Sequence, residues 1–227
     1  MGDITVVNGT ASNISGSGTT YTFDVTPTAP GSVTVDVGAG VAVDIGSNGN
    51  TASNQISRTH DNTQPSVTIT STAAAVTNVS PIPVTVTFSE SVTGFVAGDV
   101  VVGNGVLSGF AGSGTTYTFN VTPSGQGAVT VNVAAGVAAD SAGNTNTVAT
   151  QLSRTYDTAG PTVTLSSAAS NPTKNSPSSV TATFSEAVTG FVVGDITVGN
   201  GTAGNFAGSG TTYTFAGIKS VGFFEGG

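Results

Sequence analysis

The feature that most constrains this chain is a repeat that never slips. Gly2-Asp3-Ile4-Thr5 returns as Gly98-Asp99-Val100-Val101 and again as Gly194-Asp195-Ile196-Thr197, each 96 residues after the last. Tyr21-Thr22-Phe23, Tyr117-Thr118-Phe119 and Tyr213-Thr214-Phe215 keep the interval, as do Phe88-Ser89-Glu90 with Phe184-Ser185-Glu186, and Asp61 with Asp157. A gap-free repeat of domain length means like modules set in a row. Only residues 61–156 span a whole period. Residues 1–60 match 97–156, a partial module with the later strands, and 157–215 match 61–119, a partial module with the earlier ones. After Phe215 the match ends: Ala216-Gly217-Ile218-Lys219 stands where Asn120-Val121-Thr122-Pro123 sets the pattern, so 216–227 are an out-of-register tail. The expectation is a fragment of a longer reading frame that starts and stops inside modules, with a frameshift near Phe215.

Within residues 61–156 the apolar rhythm has period two, the signature of half-buried strands. Val67 and Ile69 alternate with Thr68 and Thr70; Val84, Val86 and Phe88 with Thr85 and Thr87; Val129, Val131 and Val133 with Thr130 and Asn132. Val100 and Val102, Phe110, Tyr117 to Val121, and Leu152 complete about seven short strands. Turn clusters at Asn104-Gly105, Gly112-Ser113-Gly114 and Ser124-Gly125 divide them. β-Branched Val and Thr suit a pleated surface better than a helix. An all-β antiparallel Greek-key sandwich is predicted for each module.

Charge narrows the partners. Charged residues are 7% of the chain, against about 25% in an average domain. Four Lys and Arg stand against 12 Asp and Glu, a net charge of −8. Such a chain has no basic patch to neutralise phosphates, which excludes nucleic acid as a partner and disfavours anionic membrane surfaces. There is no Cys, hence no disulfide and no thiolate metal site. No apolar run approaches the length of a membrane span, and no signal peptide precedes the first repeat.

The string Thr87-Phe88-Ser89-Glu90-Ser91-Val92-Thr93-Gly94-Phe95, followed by Gly98-Asp99, Gly112-Ser113-Gly114-Thr115-Thr116-Tyr117-Thr118-Phe119 and Ala139-Asp140-Ser141-Ala142-Gly143-Asn144, resembles the bacterial Ig-like tandem repeats of large surface proteins and adhesins. The resemblance covers the chain except the last dozen residues. It implies tandem Ig-like sandwiches, display outside the cell at the bacterial surface, and a structural or adhesive role without catalysis. Neighbouring repeats of the same chain are the expected partners. The rival readings are a module that binds a host or matrix glycan or protein directly, and an accessory domain of an extracellular enzyme. Near-identical loops, such as Asn8-Gly9-Thr10 and Asn200-Gly201-Thr202, favour the spacer.

Acids gather at the module boundaries. Asp140, Asn144 and Asn146 end one repeat and Asp157 opens the next; Asp44, Asn48, Asn50 and Asp61 hold the same positions 96 residues earlier. Glu90 and Glu186, at the ends of strands, are placed to reach the same end of the sandwich. Oxygen ligands without thiol or imidazole suit a hard cation, Ca2+, and the resemblance implies repeats stiffened in this way. The alternative is that Asp140 and Asn144 make Asx-turns and Asp157 a linker turn. Both readings stand on the sequence.

Other features carry less. Asp3, Asp99 and Asp195 read as turn acceptors. A glycosidase pair at Glu90 and Asp99 would be repeated in the next copy at Glu186 and Asp195, which is foreign to an active site. His60 is replaced by Tyr156 one repeat on, so it is no general base. Arg58 and Arg154 read as edge-strand charges or as partners of Asp61 and Asp157. The glycine clusters lack the Lys and helix of a phosphate loop and read as hairpin turns. Tyr21, Tyr117 and Tyr213 are expected in cores, and the Asn-X-Thr matches arise by chance in Thr-rich strands. Because the end modules carry complementary strand sets, strand exchange between molecules is expected at these ends.

Overall fold

The computed structural model describes residues 2–171, 174 and 177–219 (side chains through 217), so most of the tail, 220–227, lies outside the described residues. The described residues form two compact units that part between Thr158 and Ala159. Nearly everything regular is strand, as the two-residue rhythm requires.

The first unit opens with β1 (Ile4–Val7), β2 (Gly9–Ser17), β3 (Thr20–Pro27), β4 (Gly31–Val37) and β5 (Ile56–His60). β1, β4 and β5 make one antiparallel sheet in the order β1-β4-β5, and β2 and β3 a separate hairpin.

Then come β6 (Val67–Thr70), β7 (Val76–Thr77), β8 (Ile82–Val92), β9 (Val100–Gly103), β10 (Gly105–Pro123), β11 (Gly127–Val133) and β12 (Leu152–Tyr156). They form two sheets, β10-β8-β6 and β7-β12-β11-β9. Every pairing is antiparallel except the short parallel contact of β7 with β12. The inward residues of both sheets share one core: Val67, Val84, Val86 and Phe88 from the first, Val129, Val131, Val133 and Leu152 from the second. Phe88, Phe95 and Tyr117 meet edge to face, with ring centroids 5.0–5.8 Å apart, at the centre of this core. This is the sandwich that the alternation of Val with Thr predicts.

Three details depart from expectation. β10 absorbs both the Phe110 and the Tyr117–Val121 segments, and β7 is a strand that no two-residue rhythm announces. Gly112-Ser113-Gly114 turns the chain within β10 as predicted. Gly112 has φ +127°, and a Cβ there would lie 2.3 Å from the Thr116 carbonyl oxygen, so only glycine fits. Gly103-Asn104-Gly105, by contrast, is not a hairpin. β9 pairs with β11 and β10 with β8, so this turn carries the chain from one sheet to the other. Asn104 takes the left-handed conformation that Asn tolerates, φ 54°, and its amide donates to the Gly125 and Gln126 carbonyls at 3.0 and 3.4 Å. Asn8 does the same toward Ala29 and Ser32.

The second unit contains β13 (Val163–Ser166), β14 (Ser178–Val188) and β15 (Gly201–Lys219) in one antiparallel sheet of that order. Phe184, Phe191, Phe206 and Tyr213 rebuild the aromatic cluster on one face, with centroids 5.1–5.9 Å apart. β15 runs past Phe215 although the repeat is lost there: Ala216 faces Ser179 and Gly217 faces Ser178. Ladder hydrogen bonds come from the backbone, so the strand outlasts its side-chain pattern.

Candidate metal centre

The loop between β11 and β12 is built around two residues. Asn146 is 1% exposed, and its amide has all its partners. Its Oδ1 accepts from the Val137 and Ala138 N–H groups at 2.9 and 2.8 Å, and its Nδ2 donates to the Ala134 and Thr147 carbonyls, both at 2.8 Å. Asp140 is also buried. Its Oδ1 accepts from the Ala142 and Asn144 N–H groups at 2.8 and 2.9 Å, and its Oδ2 from the Asn144 amide at 2.9 Å. This is the Asx-turn that the sequence allows.

The loop is then fastened to the sandwich. Thr93, just past β8, exchanges backbone hydrogen bonds with Ala139 at 2.8 and 3.0 Å. The Asn144 amide also donates to the Asp61 carbonyl at 3.2 Å. These ties bring Asp140 beside Glu90 on β8 and beside Asp61, which follows the end of β5 directly. One carboxylate oxygen from each of Asp61, Glu90 and Asp140 lies within 4.8 Å of the other two.

The electrostatics are those of three acids in one place. Partial burial, reinforced by the charges of Asp61 and Asp140, pushes the Glu90 carboxyl above its ordinary value. The hydrogen bond from the Asn144 side chain holds Asp140 below its ordinary value, with the backbone N–H groups of the turn adding to it against the opposing effect of burial. Asp140 therefore stays ionised beside a Glu90 that resists ionisation. Such an all-oxygen group has the chemistry of a hard-cation site.

Four of the eight candidate ligands, Asp61, Glu90, Asp140 and Asn144, thus converge. The other four do not join them. Asp44 and Asn48 form the same turn in the loop between β4 and β5: Gly46 and Asn48 N–H groups reach Asp44 Oδ1 at 2.8 and 2.9 Å, and the Asn48 amide reaches Oδ2 at 3.1 Å. Asn48 holds Asp44 below its ordinary value. Among the described residues no group of three acids forms around Asp44. The turn therefore forms without a cluster, so turn making is the part of this motif that needs no cation. Asp157 belongs to the first unit, where its N–H donates to the Thr77 carbonyl at 2.9 Å, whereas Glu186 is exposed on β14 of the second.

Several smaller readings resolve. Asp99 and Asp195 accept from the Val96 and Val192 N–H groups at 2.8 and 2.9 Å, closing short 3-10 turns, which is the turn role expected of them. Arg154 spends its guanidinium on the Ala73, Ser71 and Ser153 carbonyls at 2.9, 3.3 and 2.8 Å. It is a brace between β12 and the loop after β6. Its recurrence with Arg58 was the available signal; the carbonyl targets are invisible in sequence. Tyr117 and Tyr213 are buried as expected, but Tyr21 is 60% exposed, because among the described residues β3 pairs only with β2.

No helix among the described residues is long and apolar enough to cross a membrane. No curated protein and no solved structure matches the chain. A family model described as a bacterial Ig-like domain matches residues 61–156 and 157–217, together well over half of the sequence. With the two-sheet core of residues 61–156 beside it, that match settles the kinship: the chain belongs to the bacterial Ig-like domain family.

Proposed function

We propose that this chain is a non-catalytic spacer from an extracellular bacterial array, whose beads are stiffened where they join by Ca2+ held at Asp61, Glu90 and Asp140. The observation that carries the reading is the position of the acidic cluster. Asp61 sits on the segment that leaves β5, whereas Glu90 and Asp140 belong to the body of the next sandwich. A cation bridging them fastens the joining segment to the bead and limits the bend between neighbours. The raised Glu90 carboxyl supports this, since a divalent cation relieves the mutual repulsion of the three groups. The spacer role is supported by a module that repeats its loops along with its core. Display outside the cell rests on the family. In this role the sandwich contributes length and resistance to unfolding, and a terminal binding domain would be held away from the surface.

The test is thermal unfolding of the chain in calcium and in chelator, paired with small-angle scattering. Calcium is expected to raise the Tm of the 61–156 sandwich and narrow the distribution of particle lengths, and Glu90→Gln to remove both effects. An unchanged midpoint and an unchanged length distribution would remove the cation from the account. A catalytic turnover assigned to the chain would remove the spacer.

A further inference from the structure

The chain leaves the complete sandwich by a segment whose hydrogen bonds outrun its strand. β12 ends at Tyr156, which faces Gly127 as the last pair of the β11–β12 ladder. Beyond it the amides keep turning to alternate sides, as in an extended strand. On the β7 side the Thr155 and Asp157 N–H groups donate to the Ala75 and Thr77 carbonyls, at 2.8 and 2.9 Å. On the β11 side the Thr158 N–H donates to a side chain, Oε1 of Gln126, at 2.9 Å. Thr158 is also where the first unit ends.

Gln126 is aimed by its own turn. Ser124-Gly125-Gln126 joins β10 to β11, and the Asn104 amide holds this turn through the Gly125 and Gln126 carbonyls. The Ser124 N–H returns a bond to the Asn104 carbonyl at 3.1 Å. Gly127 follows with φ +107°, which glycine adopts without strain. The Gln126 side chain therefore starts beside the end of the ladder. Its amide oxygen stands in for the backbone carbonyl that a longer ladder would offer. One repeat earlier the position is Pro30, which has no side-chain acceptor, although His60 faces Gly31 as Tyr156 faces Gly127. The same ladder end is thus built with the acceptor in one copy and without it in the other.

We propose that Gln126 sets the joint that follows its bead: its side chain carries the hold of β12 on to Thr158, so the departing segment is fixed through that residue. The next residue fastened to a strand is Thr162 of the second unit. Its N–H donates to Ser185 Oγ and its carbonyl accepts from the Ser185 N–H, both at 2.9 Å. Three residues, Ala159-Gly160-Pro161, separate the two holds. A hinge of at most three residues, one of them a proline of fixed φ, has few conformations to explore. Proline at the position of Gln126 ends the hold with the strand and lengthens the hinge. The role in setting the joint rests on the spacer reading, in which a limited bend is the function. The hold itself uses no cation and lies apart from the acidic cluster.

The test is amide exchange of the full chain in chelator, followed residue by residue by NMR. Gln126→Ala is expected to speed exchange at Thr158 roughly fivefold, the effect of one exposed hydrogen bond, and to leave Asp157 unchanged. Gln126→Glu keeps an oxygen at the same reach and is expected to keep the protection, whereas Gln126→Asn, one methylene shorter, loses it. The converse variant, Pro30→Gln, is expected to slow the amide of Asn62, the counterpart of Thr158, by a similar factor. Small-angle scattering of Gln126→Ala is expected to show a broader distribution of particle lengths than the parent. Unchanged exchange at Thr158 in Gln126→Ala would overturn the hold. Equal acceleration at Asp157 would overturn it too, by making Gln126 a support of its turn. Faster exchange at Thr158 with unchanged particle lengths would keep the hold and overturn its role in setting the joint. Every measurement is made without calcium, so none depends on Ca2+ at Asp61, Glu90 and Asp140.

Discussion

Residues 2–60 and residues 98–156 are two tellings of one sequence, and the molecule treats them differently. Tyr117 is 5% exposed and Tyr21 60%; Leu152 is 8% exposed and Ile56, at its counterpart, 52%. Asn146 and Asn50 make the same kinds of bond, Oδ1 to loop N–H groups and Nδ2 to loop carbonyls, but the first is sealed from water and the second is not. Arg154 reaches two carbonyls of the loop after β6, where Arg58 is bonded to its neighbour Ser57. Local structure is thus set by local sequence, turn for turn. Burial is set by whether β6 and β8, or their equivalents, lie across the way. The lesson is that a bead of this family is made by its earlier strands closing on its later ones.

That contrast breaks most visibly in the core. Phe119→Ala is expected to cost about 3–5 kcal/mol, the usual loss for a buried aromatic, whereas Phe23→Ala, half-buried in its open groove, costs about 1–2 kcal/mol. Urea unfolding, followed by hydrogen exchange resolved by segment, checks the ratio. Equal costs would mean that residues 2–60 are as closed as the complete sandwich.

The buried amide comes next. Asn146→Ala removes four hydrogen bonds from a dry loop and leaves their backbone partners unpaired, an expected loss of about 2–4 kcal/mol. Asn50→Ala leaves its partners to water and is expected to cost under about 1 kcal/mol. Arg154→Ala follows with a loss of about 1–2 kcal/mol from charge-assisted bonds to carbonyls, against roughly 0.5 kcal/mol or less for Arg58→Ala. Equilibrium unfolding of each pair measures the differences.

The smallest effect is electrostatic, and its sign is fixed by direction of shift. Glu90 has a raised folded value, so the folded chain holds its proton more tightly than the unfolded one. Its contribution opposes folding at neutral pH, and this penalty is relieved as pH falls through the raised value toward 4.5. Asp140 and Asp44 have lowered values, so their contributions are present above 3.8 and are lost as pH falls below it. Without divalent cations, stability is expected to rise gently from neutral toward mildly acid pH and then to fall. Glu90→Gln flattens the rise without touching the fall, as Tm against pH in chelator will show.

Much of this was legible in the sequence. The Val/Thr alternation announced β6, β8, β11 and the inner face of each. The sequence grouped Asp140 and Asn144 with Asp157, and Asp44 and Asn48 with Asp61, with a strand-end Glu in reach of each; the structure instead brings Asp61 and Glu90 to Asp140, the two ends of one module. The brace made by Arg154 was not legible, because its targets are carbonyls, which every residue carries. Nor was the sheet-to-sheet turn at Asn104, since Asn-Gly punctuates a hairpin and a crossover alike. The exposure of Tyr21 follows from the strand pairing of β3, a three-dimensional fact that a matching motif conceals.

The most direct measurement of the central claim is hydrogen exchange on a dilute sample, comparing the amides of Tyr117 to Val121 with those of Tyr21 to Val25. The account has the first set exchanging only through global opening of the sandwich, while the edge of β3 that faces the groove exchanges orders of magnitude faster. Equal protection of the two segments in a monomeric sample would contradict it.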